Sequence, residues 1–532
     1  MKKNCKIIST LGFTLSLVIG FCLIAFTAPI TVNLNLGTEP PTIDPALATD
    51  LVSADVIEQL FLGLTDYDDK TMAVIPELAT SWEVSEDGLV WAFHMRKDVK
   101  WSDGKPVTAH DVEYAVKRTC NPATTSDYAY VLYIIKGVKE VNTGKIKDLN
   151  YIGVRAIDDY TIQFTLNHPA GYFAAIAGMW VARPVPRWVI EKYGDKWTEP
   201  ENIVTNGPYL LTKWVHEDEL ILEKNPDYFD ANNVQIEKVH CVMIVEESTA
   251  MAMYKDGKLD SVGVPLDDIG RVKRNSALSK ELIICPSLCT YYYGFNNTKP
   301  PFDNPLVRKA FSAAIDRKSL VKKVLKGGQM PATTFTCPGI FGHVATEEGV
   351  GIGYDPKAAR KYLADAGYPK GKGFPEITLM FNPSEANRKI AQAIQKMWKK
   401  VLRVEVNLTN QEWKVYLKIL SEDAPQIFCL SKCADYPDAN NWLYEVFHSA
   451  DSQNRIKWHN AEFDRIVEKA VREFNPAKRL ELYKQTELIL CEEEAAIAPL
   501  YYQTIVNLTK PYLKRTFAPM GGVHIKDWRI KK

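Results

Sequence analysis

The histidines and the usual nucleophiles of this chain are not spaced for catalysis. The chain has nine histidines, which lie at least eleven residues apart, whereas metal sites built on one helix or loop need them a few residues apart. It contains no GxSxG elbow, no GxxxxGK loop followed by Ser or Thr, and no HExxH helix. We therefore expect no enzyme activity and no metal or other cofactor. Without a phosphate-binding loop, any energy from ATP must come from partner subunits.

The ten cysteines are the second group that could carry chemistry. Cys285 lies four residues before Cys289, and Cys429 lies four residues before Cys433. On extended strands, residues with this spacing share a face but lie about 13 Å apart, whereas a thiolate lies about 2.3 Å from a bound zinc ion. The spacing argues against a metal site and leaves disulfides and buried thiols as the alternatives.

The N-terminus has the pattern of a targeting segment. Lys2, Lys3 and Lys6 precede an apolar run over residues 7–26, which is typical of a secretory signal. The run is also about long enough to span a bilayer, so an uncleaved anchor is the alternative. We assign residues 1–28 to a signal peptide or N-terminal anchor and expect the remainder to be soluble and outside the cytoplasm.

Two processing sites are open within this segment. Ala25 and Thr27 are small residues at the −3 and −1 positions of a cut before Ala28. Cys22 would be the modified residue of a lipoprotein, but Phe21 stands where a small residue is expected. The expected location is the periplasm, or the outer face of the cytoplasmic membrane if the chain is anchored or lipidated.

Length and composition indicate a globular protein with at least two domains. The chain has 532 residues, and single cores stop growing at about 250–300 residues. Hydrophobic residues make up 46% and charged residues 24% of the sequence, as in ordinary globular proteins. The 65 basic and 65 acidic residues cancel, so no basic field is available for phosphates and nucleic acid is not an expected partner.

The elements that must position these residues alternate between strand and helix patterns, which indicates an α/β fold. Residues 89–95 alternate between large apolar and other side chains and predict a half-buried strand. The runs 403–409 and 425–431 predict strands on either side of a helix around Trp413.

Helix starts are visible as capping motifs. Thr-x-x-Asp at residues 108–111 is a variant of the capping box. Asp-Pro at residues 355–356 predicts a helix that ends near Gly367, and Asn-Pro at residues 475–476 predicts another.

Residues 81–111 (SWEVSEDGLVWAFHMRKDVKWSDGKPVTAHD) resemble the signature of the bacterial extracellular solute-binding proteins that deliver peptides to ABC importers. Further segments match the family in order and spacing, and their similarity is greatest to its oligopeptide-binding branch. They are TEPPTIDPA (38–46), NIVTNGPYLLTKWVHEDELILEKNPDYFD (202–230), CTYYYGFNN (289–297), NQEW (410–413) and CADY (433–436). The resemblance extends from about residue 32 to residue 502.

The resemblance implies a bilobal fold of the periplasmic-binding-protein type 2 class, with two lobes hinged around a cleft. Lobe I would be discontinuous and comprise residues 30–62, 188–288 and 503–532. An extra domain would comprise residues 63–187, and lobe II residues 289–502.

The resemblance also assigns ligand-binding roles. Asp435 of CADY would pair with the α-ammonium group of a peptide; from the sequence alone, it could instead cap a helix that begins near residue 437. Trp413, 22 positions earlier, would line a side-chain pocket. Tyr128 and Tyr292 match tyrosines of the family's cleft.

Backbone groups and cysteines complete the implied site. Leu51 and Cys433 match positions whose main chain pairs with the peptide like an added strand. Cys289 and Cys433 match a disulfide of oligopeptide-binding relatives. Cys285 and Cys429 would then form a second bridge or remain two buried thiols.

The chain departs from the family where relatives use cationic side chains to receive the peptide's terminal carboxylate. None of the matching positions is cationic; they are Leu325, Asn387, Leu420 and Cys429. Lys326 and Arg388, one residue away, are the candidate substitutes. We expect the peptide's C-terminal charge to contribute little to affinity, unless Lys326 or Arg388 binds the terminal carboxylate instead.

These expectations describe a receptor that encloses an oligopeptide and presents it to the transmembrane permease subunits of an ABC importer. It is expected to act as a monomer and to need no covalent step. Alternative ligands within the superfamily are dipeptides, nickel chelates and haem. A receptor that signals the presence of peptide to a sensor protein is an alternative of a different class.

Overall fold

The structure is a computed structural model, and it describes residues 29–450, 453–473 and 475–531. The predicted signal peptide or anchor over residues 1–28 lies outside the described residues. Within the described part of the chain, no helix is both long enough and apolar enough to cross a membrane.

The strands are numbered along the chain. They are β1 (Thr31–Asn35), β2 (Thr65–Tyr67), β3 (Val74–Pro76), β4 (Ala79–Val84), β5 (Val90–Met95), β6 (Val154–Asp158), β7 (Thr161–Thr165), β8 (Tyr209–Val215), β9 (Glu219–Lys224), β10 (Lys238–Val242), β11 (Ser261–Gly263), β12 (Leu282–Phe295), β13 (Met330–Pro331), β14 (Thr378–Phe381), β15 (Asn407–Asn410), β16 (Ile427–Cys433), β17 (Ile497–Thr509), β18 (Leu513–Lys514) and β19 (Arg529–Ile530).

The helices are numbered in the same way. They are α1 (Leu51–Leu60), α2 (Ala109–Cys120), α3 (Val138–Asn142), α4 (Phe173–Gly178), α5 (Arg187–Tyr193), α6 (Glu247–Lys255), α7 (Leu266–Arg274), α8 (Leu278–Glu281), α9 (Pro305–Ala313), α10 (Arg317–Ser319), α11 (Pro356–Asp365), α12 (Glu385–Leu402), α13 (Trp413–Asp423), α14 (Asn440–Phe447), α15 (Ala461–Arg472) and α16 (Pro476–Leu488).

Three larger sheets organise most of these strands. One has the order β1-β10-β9-β8, with β1 parallel to β10. A second, antiparallel sheet has the order β4-β5-β7-β6. The third has the order β11-β17-β12-β16-β14-β15, with β13 added on β17, and β14 runs parallel to both of its neighbours. The predicted α/β class is confirmed.

Strands β12 and β17 run through the third sheet from one end to the other. Their pairing register shifts between Pro286 and Thr290 and again between Tyr291 and Tyr292. Before the first shift β12 pairs with β17 only, and from Cys289 onward it also pairs with β16. Because such irregularities bend a strand and increase its twist, this pair of strands changes direction near residue 288.

Alternate residues of β12 pack into different hydrophobic cores. Tyr291, Tyr293 and Phe295 belong to the core between the third sheet and α9, α11 and α12. Leu288 and Tyr292 belong to the core on the opposite face, with α13 to α16. Side chains alternate between the two faces of a strand, so this end of the sheet is buried on both faces. A further large core lies under the first two sheets.

The capping predictions are confirmed. The Asp111 carboxylate accepts the backbone N–H of Thr108 at the start of α2. The side chains of Asp355 and Asn475 cap α11 and α16. The strand predicted over residues 89–95 is β5, and its alternate residues are buried. These motifs involve neighbours in the chain, which is why the sequence reveals them.

The two strands predicted on either side of Trp413 are present, but their bounds differ from the prediction. Arg403 ends α12 in the left-handed conformation, with φ 62°, so the strand predicted over 403–409 begins only at Asn407. The second strand, β16, extends to Cys433. Trp413 is the first residue of α13 and does not lie in the middle of the helix.

Candidate binding site

A cavity of about 400 Å³ lies between the start of α1 and Tyr128 on one side and β12, β16, α12 and α13 on the other. All six residues predicted to contact a ligand line it. They are Leu51, Tyr128, Tyr292, Trp413, Cys433 and Asp435. The structure thus brings together residues that lie up to 384 positions apart in the sequence, and the volume lies within the range of about 300–1,000 Å³ that is usual for ligand sites.

Asp435 is held at the end of the cavity by partners from several elements. Its Oδ2 accepts hydrogen bonds from Lys432 Nζ at 2.6 Å and from Asn441 Nδ2 at 2.7 Å. Its Oδ1 has one weaker contact, from the Tyr128 hydroxyl at 3.3 Å, which is also 3.3 Å from Oδ2. The hydroxyl of Tyr67 donates to the backbone carbonyl of Asp435 at 3.2 Å. The carboxylate caps none of the described helices, and its free acceptor capacity is at Oδ1, in the lining of the cavity.

Lys432 is a feature of the site that the sequence reasoning missed. Burial alone would lower the pKa of Lys432, but the neighbouring Asp435 carboxylate outweighs burial, and the net pKa is raised above its ordinary value. The ammonium group therefore stays charged and offsets part of the negative charge of Asp435. No sequence signal identifies this role, because a lysine in a strand is usually exposed.

Glu445 extends the polar network behind Asp435. Asn441 donates through Nδ2 to Asp435 Oδ2 and to Glu445 Oε2, each at 2.7 Å. The Tyr436 hydroxyl donates to Glu445 Oε1 at 2.5 Å. Burial raises the pKa of Glu445 to about 7, against the lowering effect of these hydrogen bonds and of Lys432. Glu445 can thus change its charge near neutral pH, only one side chain away from Asp435.

The predicted disulfide between Cys289 and Cys433 is present and joins β12 to β16. The two Cα atoms are 4.0 Å apart, which identifies the narrow type of antiparallel pair, in which the backbone groups of both residues point away from the partner strand. Cys285 and Cys429 are free thiols. Their bridge is excluded by register, because Cys285 lies opposite Ile505 of β17.

The same register leaves one edge of β16 open towards the cavity. The Tyr416 hydroxyl occupies both backbone groups of Cys429 on that edge, at 2.6 Å from the carbonyl oxygen and 3.2 Å from the nitrogen. Residues two positions apart present their backbone to the same edge, so Ser431 and Cys433 do so as well. Within the described chain, β14 pairs only with Ile427 and Phe428 of β16. Ser431 is a second pairing position that the sequence reasoning missed.

Aromatic rings line the remaining wall. Tyr292 is buried edge-to-face against Phe335, with ring centroids 5.1 Å apart, and burial raises the pKa of Tyr292 to about 12. Trp413 is half-buried and packs on Tyr416 at 6.0 Å. Burial also raises the pKa of Tyr128. These rings are neutral at physiological pH, so they offer apolar surface and hydroxyl groups without charge.

The four positions that the resemblance matches to cations of the family fall into two groups. Leu325 and Leu420 are buried in apolar cores and do not line the cavity, whereas Asn387 and Cys429 line it. Lys326 and Arg388 are exposed and are not part of the lining. Neither is therefore positioned to replace the missing cations within this cavity.

Arg455 is a cation of the cavity wall that the sequence did not reveal. Its side chain is 8% exposed and lines the cavity. It donates to the carbonyl of Leu417 at 3.5 Å and to Gln453 Oε1 at 3.3 Å. Neither acceptor is charged, and no described carboxylate forms an ion pair with Arg455.

Glu58, Asp66 and His524 form a separate group whose donor atoms lie within 4.8 Å of one another. His524 Nδ1 is 2.5 Å from Asp69 and Nε2 is 3.0 Å from Asp66. Burial lowers the pKa of His524, but these carboxylates outweigh it and raise the pKa well above its usual range. Lys526 adds a second positive charge at 2.6 Å from Asp66, and Arg183 adds a third at 2.5 Å from Glu58. The group is balanced by its own cations, and a protonated imidazole is not a metal ligand.

Sequence comparisons identify related proteins along nearly the whole chain. The model of the family described as "Bacterial extracellular solute-binding proteins, family 5 Middle" matches residues 73–454. The oligopeptide-binding protein OppA of Bacillus subtilis is 37% identical over 516 residues, which cover 94% of this chain and 93% of that protein. The periplasmic oligopeptide-binding protein OppA of Escherichia coli is 36% identical and covers 93% of this chain and 89% of its own length.

Solved structures match the fold and reveal its conformation. Haemophilus influenzae OppA in complex with RPPGFSPFR matches with a TM-score of 0.89 at 31% identity, over 95% of this chain and 100% of that one. The murein tripeptide binding protein MppA of Escherichia coli matches with 0.88 at 32% identity, over 94% of this chain and 98% of that one. A structure of MppA described as its unliganded open form matches with a TM-score of only 0.65, over 95% of this chain and 98% of that one. Since the identity is unchanged at 32%, the difference reflects conformation, and this chain departs from the open form.

Proposed function

Since the chain belongs to family 5 of the bacterial extracellular solute-binding proteins, we propose that it is the substrate-binding subunit of an ABC importer. It encloses an oligopeptide between two lobes outside the cytoplasm and delivers it to the membrane permease subunits. Binding needs no covalent step and no cofactor, and the protein is not an enzyme. The receptor acts as a monomer, in the periplasm or on the outer face of the cytoplasmic membrane.

The observation that carries this proposal is an open strand edge that ends beside a buried carboxylate. Ser431 and Cys433 offer backbone donors and acceptors to the cavity, and Asp435 follows directly in the chain. Main-chain pairing recognises any extended peptide whatever its sequence. A buried ammonium group needs an opposite charge, and Asp435 Oδ1 supplies one where the edge ends. The peptide's amino terminus therefore lies at Asp435, and its chain runs along β16 towards Cys429.

Room for a longer peptide supports an oligopeptide ligand over a dipeptide. A second cavity of about 480 Å³ shares Asn382, Ala386 and Trp413 with the first. These residues lie towards the Cys429 end of the edge, away from Asp435. Residues beyond the third or fourth of a bound peptide would enter this second cavity. A nickel chelate or haem would use neither the strand edge nor the carboxylate beside it.

The lobes are proposed to meet at the bend of β12 and β17. Lobe I would comprise residues 30–62, 188–288 and 503–532, the extra domain residues 63–187, and lobe II residues 289–502. The first register shift, after Pro286, lies beside the boundary at residue 288. Two extended crossings with interrupted pairing can absorb a rotation while both cores stay intact.

Identification of the natural ligand tests the proposal. The protein is purified without denaturation, its ligands are released with acid, and the extract is analysed by mass spectrometry and for nickel and haem. We expect peptides with unmodified amino termini. Calorimetry with tri-, tetra- and penta-alanine then gives the affinity. An extract that contains nickel or haem but no peptide, together with no heat of binding for any of the three peptides, would contradict the proposal.

A signalling receptor would bind peptide in the same way, so a separate measurement distinguishes the two roles. Uptake of a labelled bound peptide by vesicles that contain the permease encoded nearest to this gene should depend on the protein. Binding without uptake in the presence of that permease would favour a sensing role.

A further inference from the structure

Arg455 is a buried cation that has no anionic partner among the residues the structure describes. Its guanidinium group lies in the cavity wall, with two long hydrogen bonds to neutral acceptors and no described carboxylate paired with it. A buried charge without a counter-charge destabilises the folded protein, and a guanidinium stays protonated in proteins. The planar fork of an arginine suits a carboxylate, which it can bind through two parallel hydrogen bonds. The site is therefore complete only with an anionic group from the ligand.

We propose that Arg455 receives a carboxylate of the bound peptide, namely the side chain of an aspartate or glutamate at one of its first two positions. The cleft would thus select peptides that are acidic next to their amino terminus. This inference rests on the proposed function and adds a preference among peptides to it.

The charge balance of the cavity supports an acidic ligand. Among the described residues, the charged members of the lining are Asp50, Lys432, Asp435 and Arg455. Asp50 is engaged in capping α1, where it accepts the backbone N–H groups of Val52 and Ser53. Lys432 already offsets Asp435 at 2.6 Å. The peptide's ammonium group adds another positive charge at this end of the cavity, and its terminal carboxylate balances that charge only from the far end of the peptide. A carboxylate on one of the first side chains would balance it locally.

The position of Arg455 points to the first residues of the peptide. Its partner Gln453 donates to the carbonyl of Asp127 at 3.0 Å, and the next residue, Tyr128, reaches Asp435 with its hydroxyl. The Tyr292 hydroxyl lies within the electrostatic influence of Arg455. Arg455 also donates to the carbonyl of Leu417 on α13, one turn after Trp413, so it lies between Asp435 and Trp413, beside the first residues of the peptide. An extended peptide rises about 3.4 Å per residue, so the terminal carboxylate of a tetrapeptide would lie about 13 Å from its amino terminus.

Calorimetry with matched tetrapeptides tests the inference. The pairs are Ala-Glu-Ala-Ala with Ala-Gln-Ala-Ala, and Glu-Ala-Ala-Ala with Gln-Ala-Ala-Ala. For the wild-type chain, we expect glutamate to be preferred over glutamine at least tenfold in one of the two pairs. In Arg455→Met the preference should fall below about twofold, while Ala-Gln-Ala-Ala still binds. Arg455→Lys, which keeps the charge, should retain part of the preference.

The controls separate this inference from the proposed function. Arg388→Met changes an exposed arginine of α12 outside the cavity and should leave the preference intact. Equal affinity for glutamate and glutamine in the wild-type chain, with a large loss on N-acetylation, would overturn the role of Arg455 and leave peptide binding standing. Failure of every peptide to bind would overturn both. Equal affinity for the glutamate and glutamine peptides, with a loss on C-terminal amidation that disappears in Arg455→Met, would assign Arg455 to the terminal carboxylate and contradict the proposal.

Discussion

The two oxygens of the Asp435 carboxylate differ in how many hydrogen bonds they accept. Oδ2 accepts hydrogen bonds from both Lys432 and Asn441, while among the described residues Oδ1 has only the contact from Tyr128. A ligand ammonium group can therefore bind at Oδ1 without displacing Lys432, but it would then lie close to a second buried cation. The strength of the anchor depends on this competition as much as on Asp435 itself.

Replacement of Lys432 should show directly whether its ammonium group competes with that of the peptide for Asp435. In Lys432→Met the Asp435 carboxylate loses its internal partner, which should lower the free energy of unfolding of the empty protein by about 3–5 kcal/mol. A bound peptide ammonium would replace the lost charge. We therefore expect saturating tetrapeptide to raise the melting temperature of Lys432→Met more than that of the wild type, as measured by scanning calorimetry.

The control for this measurement is Lys418→Met, which removes an exposed ion pair with Glu422 on α13. Such pairs contribute about 0–1 kcal/mol, so the control should behave like the wild type. An equal thermal shift in Lys432→Met and in wild type would show that Lys432 does not compete with the ligand.

Glu445 should make peptide binding depend on pH. A bound ammonium group favours the ionised form of Glu445, so binding lowers its pKa from about 7 and releases protons. Affinity should then rise as the pH increases from 5.5 to 7.5, by up to about tenfold for each unit by which the pKa falls. Calorimetry in buffers with different ionisation enthalpies measures the proton release.

Glu445→Gln is the matched variant for the pH measurement. It keeps the shape of the side chain but removes the titration, so the affinity should become nearly flat over this pH range. The same pH dependence in Glu445→Gln as in the wild type would assign the effect to another group.

At the scale of elements, the disulfide fixes β16 against β12 where the pairing edge opens. Cys289 and Cys433 are 144 residues apart in the chain, and closing a loop of that length restricts the unfolded chain strongly. The bridge also holds the narrow pair whose geometry directs the backbone of Cys433 towards the cavity. It therefore contributes both to stability and to the position of the strand edge.

Removal of the bridge should lower stability more than affinity. The double variant Cys289→Ser with Cys433→Ser should lose about 2–5 kcal/mol of unfolding free energy, measured by urea denaturation. Cys285→Ser, at an unbridged thiol, should change it little. Equal midpoints for the wild type and the double variant, with free thiols found at both positions by peptide mapping, would show that the bridge does not form.

How far the sequence predicts the structure depends on the range of the interactions. The capping residues Thr108 and Asp355 act on their own helices, so their motifs identify them. The positions of Asp435 and Trp413 follow from a resemblance that covers nearly the whole chain. Lys432 and Arg455 were missed because their burial depends on segments far away in sequence. Their residue type alone predicts exposed side chains.

At the scale of the molecule, several contacts join the two sides of the cleft and stabilise the closed conformation. Tyr67 and Tyr128 reach Asp435 from the opposite side. The ring of Tyr172 stacks on Tyr436 at 4.9 Å, with planes 7° apart. The lower TM-score against the unliganded open form of MppA is consistent with closure. A ligand that bridges the two sides adds to these contacts and can shift the balance between open and closed forms.

Peptide should therefore compact the protein in solution. Small-angle X-ray scattering of ligand-free protein should give a larger radius of gyration than the same sample with saturating tetrapeptide, and Asp435→Asn should need more peptide to reach the compact form. A radius that stays at the closed value before and after addition of peptide would show that the cleft does not open.

The affinity of one tetrapeptide in three forms tests the central claim most directly. The forms are unmodified, N-acetylated and C-amidated, and each is measured by calorimetry with the wild-type chain. Acetylation removes the ammonium group from the buried Asp435 and should cost about 2–5 kcal/mol. Amidation should change the affinity by less than about tenfold, or about 1.4 kcal/mol, because none of the described residues places a cation at the far end of the first cavity. Equal affinity for the unmodified and acetylated peptides would contradict the role of Asp435, and with it this account of how the peptide is held.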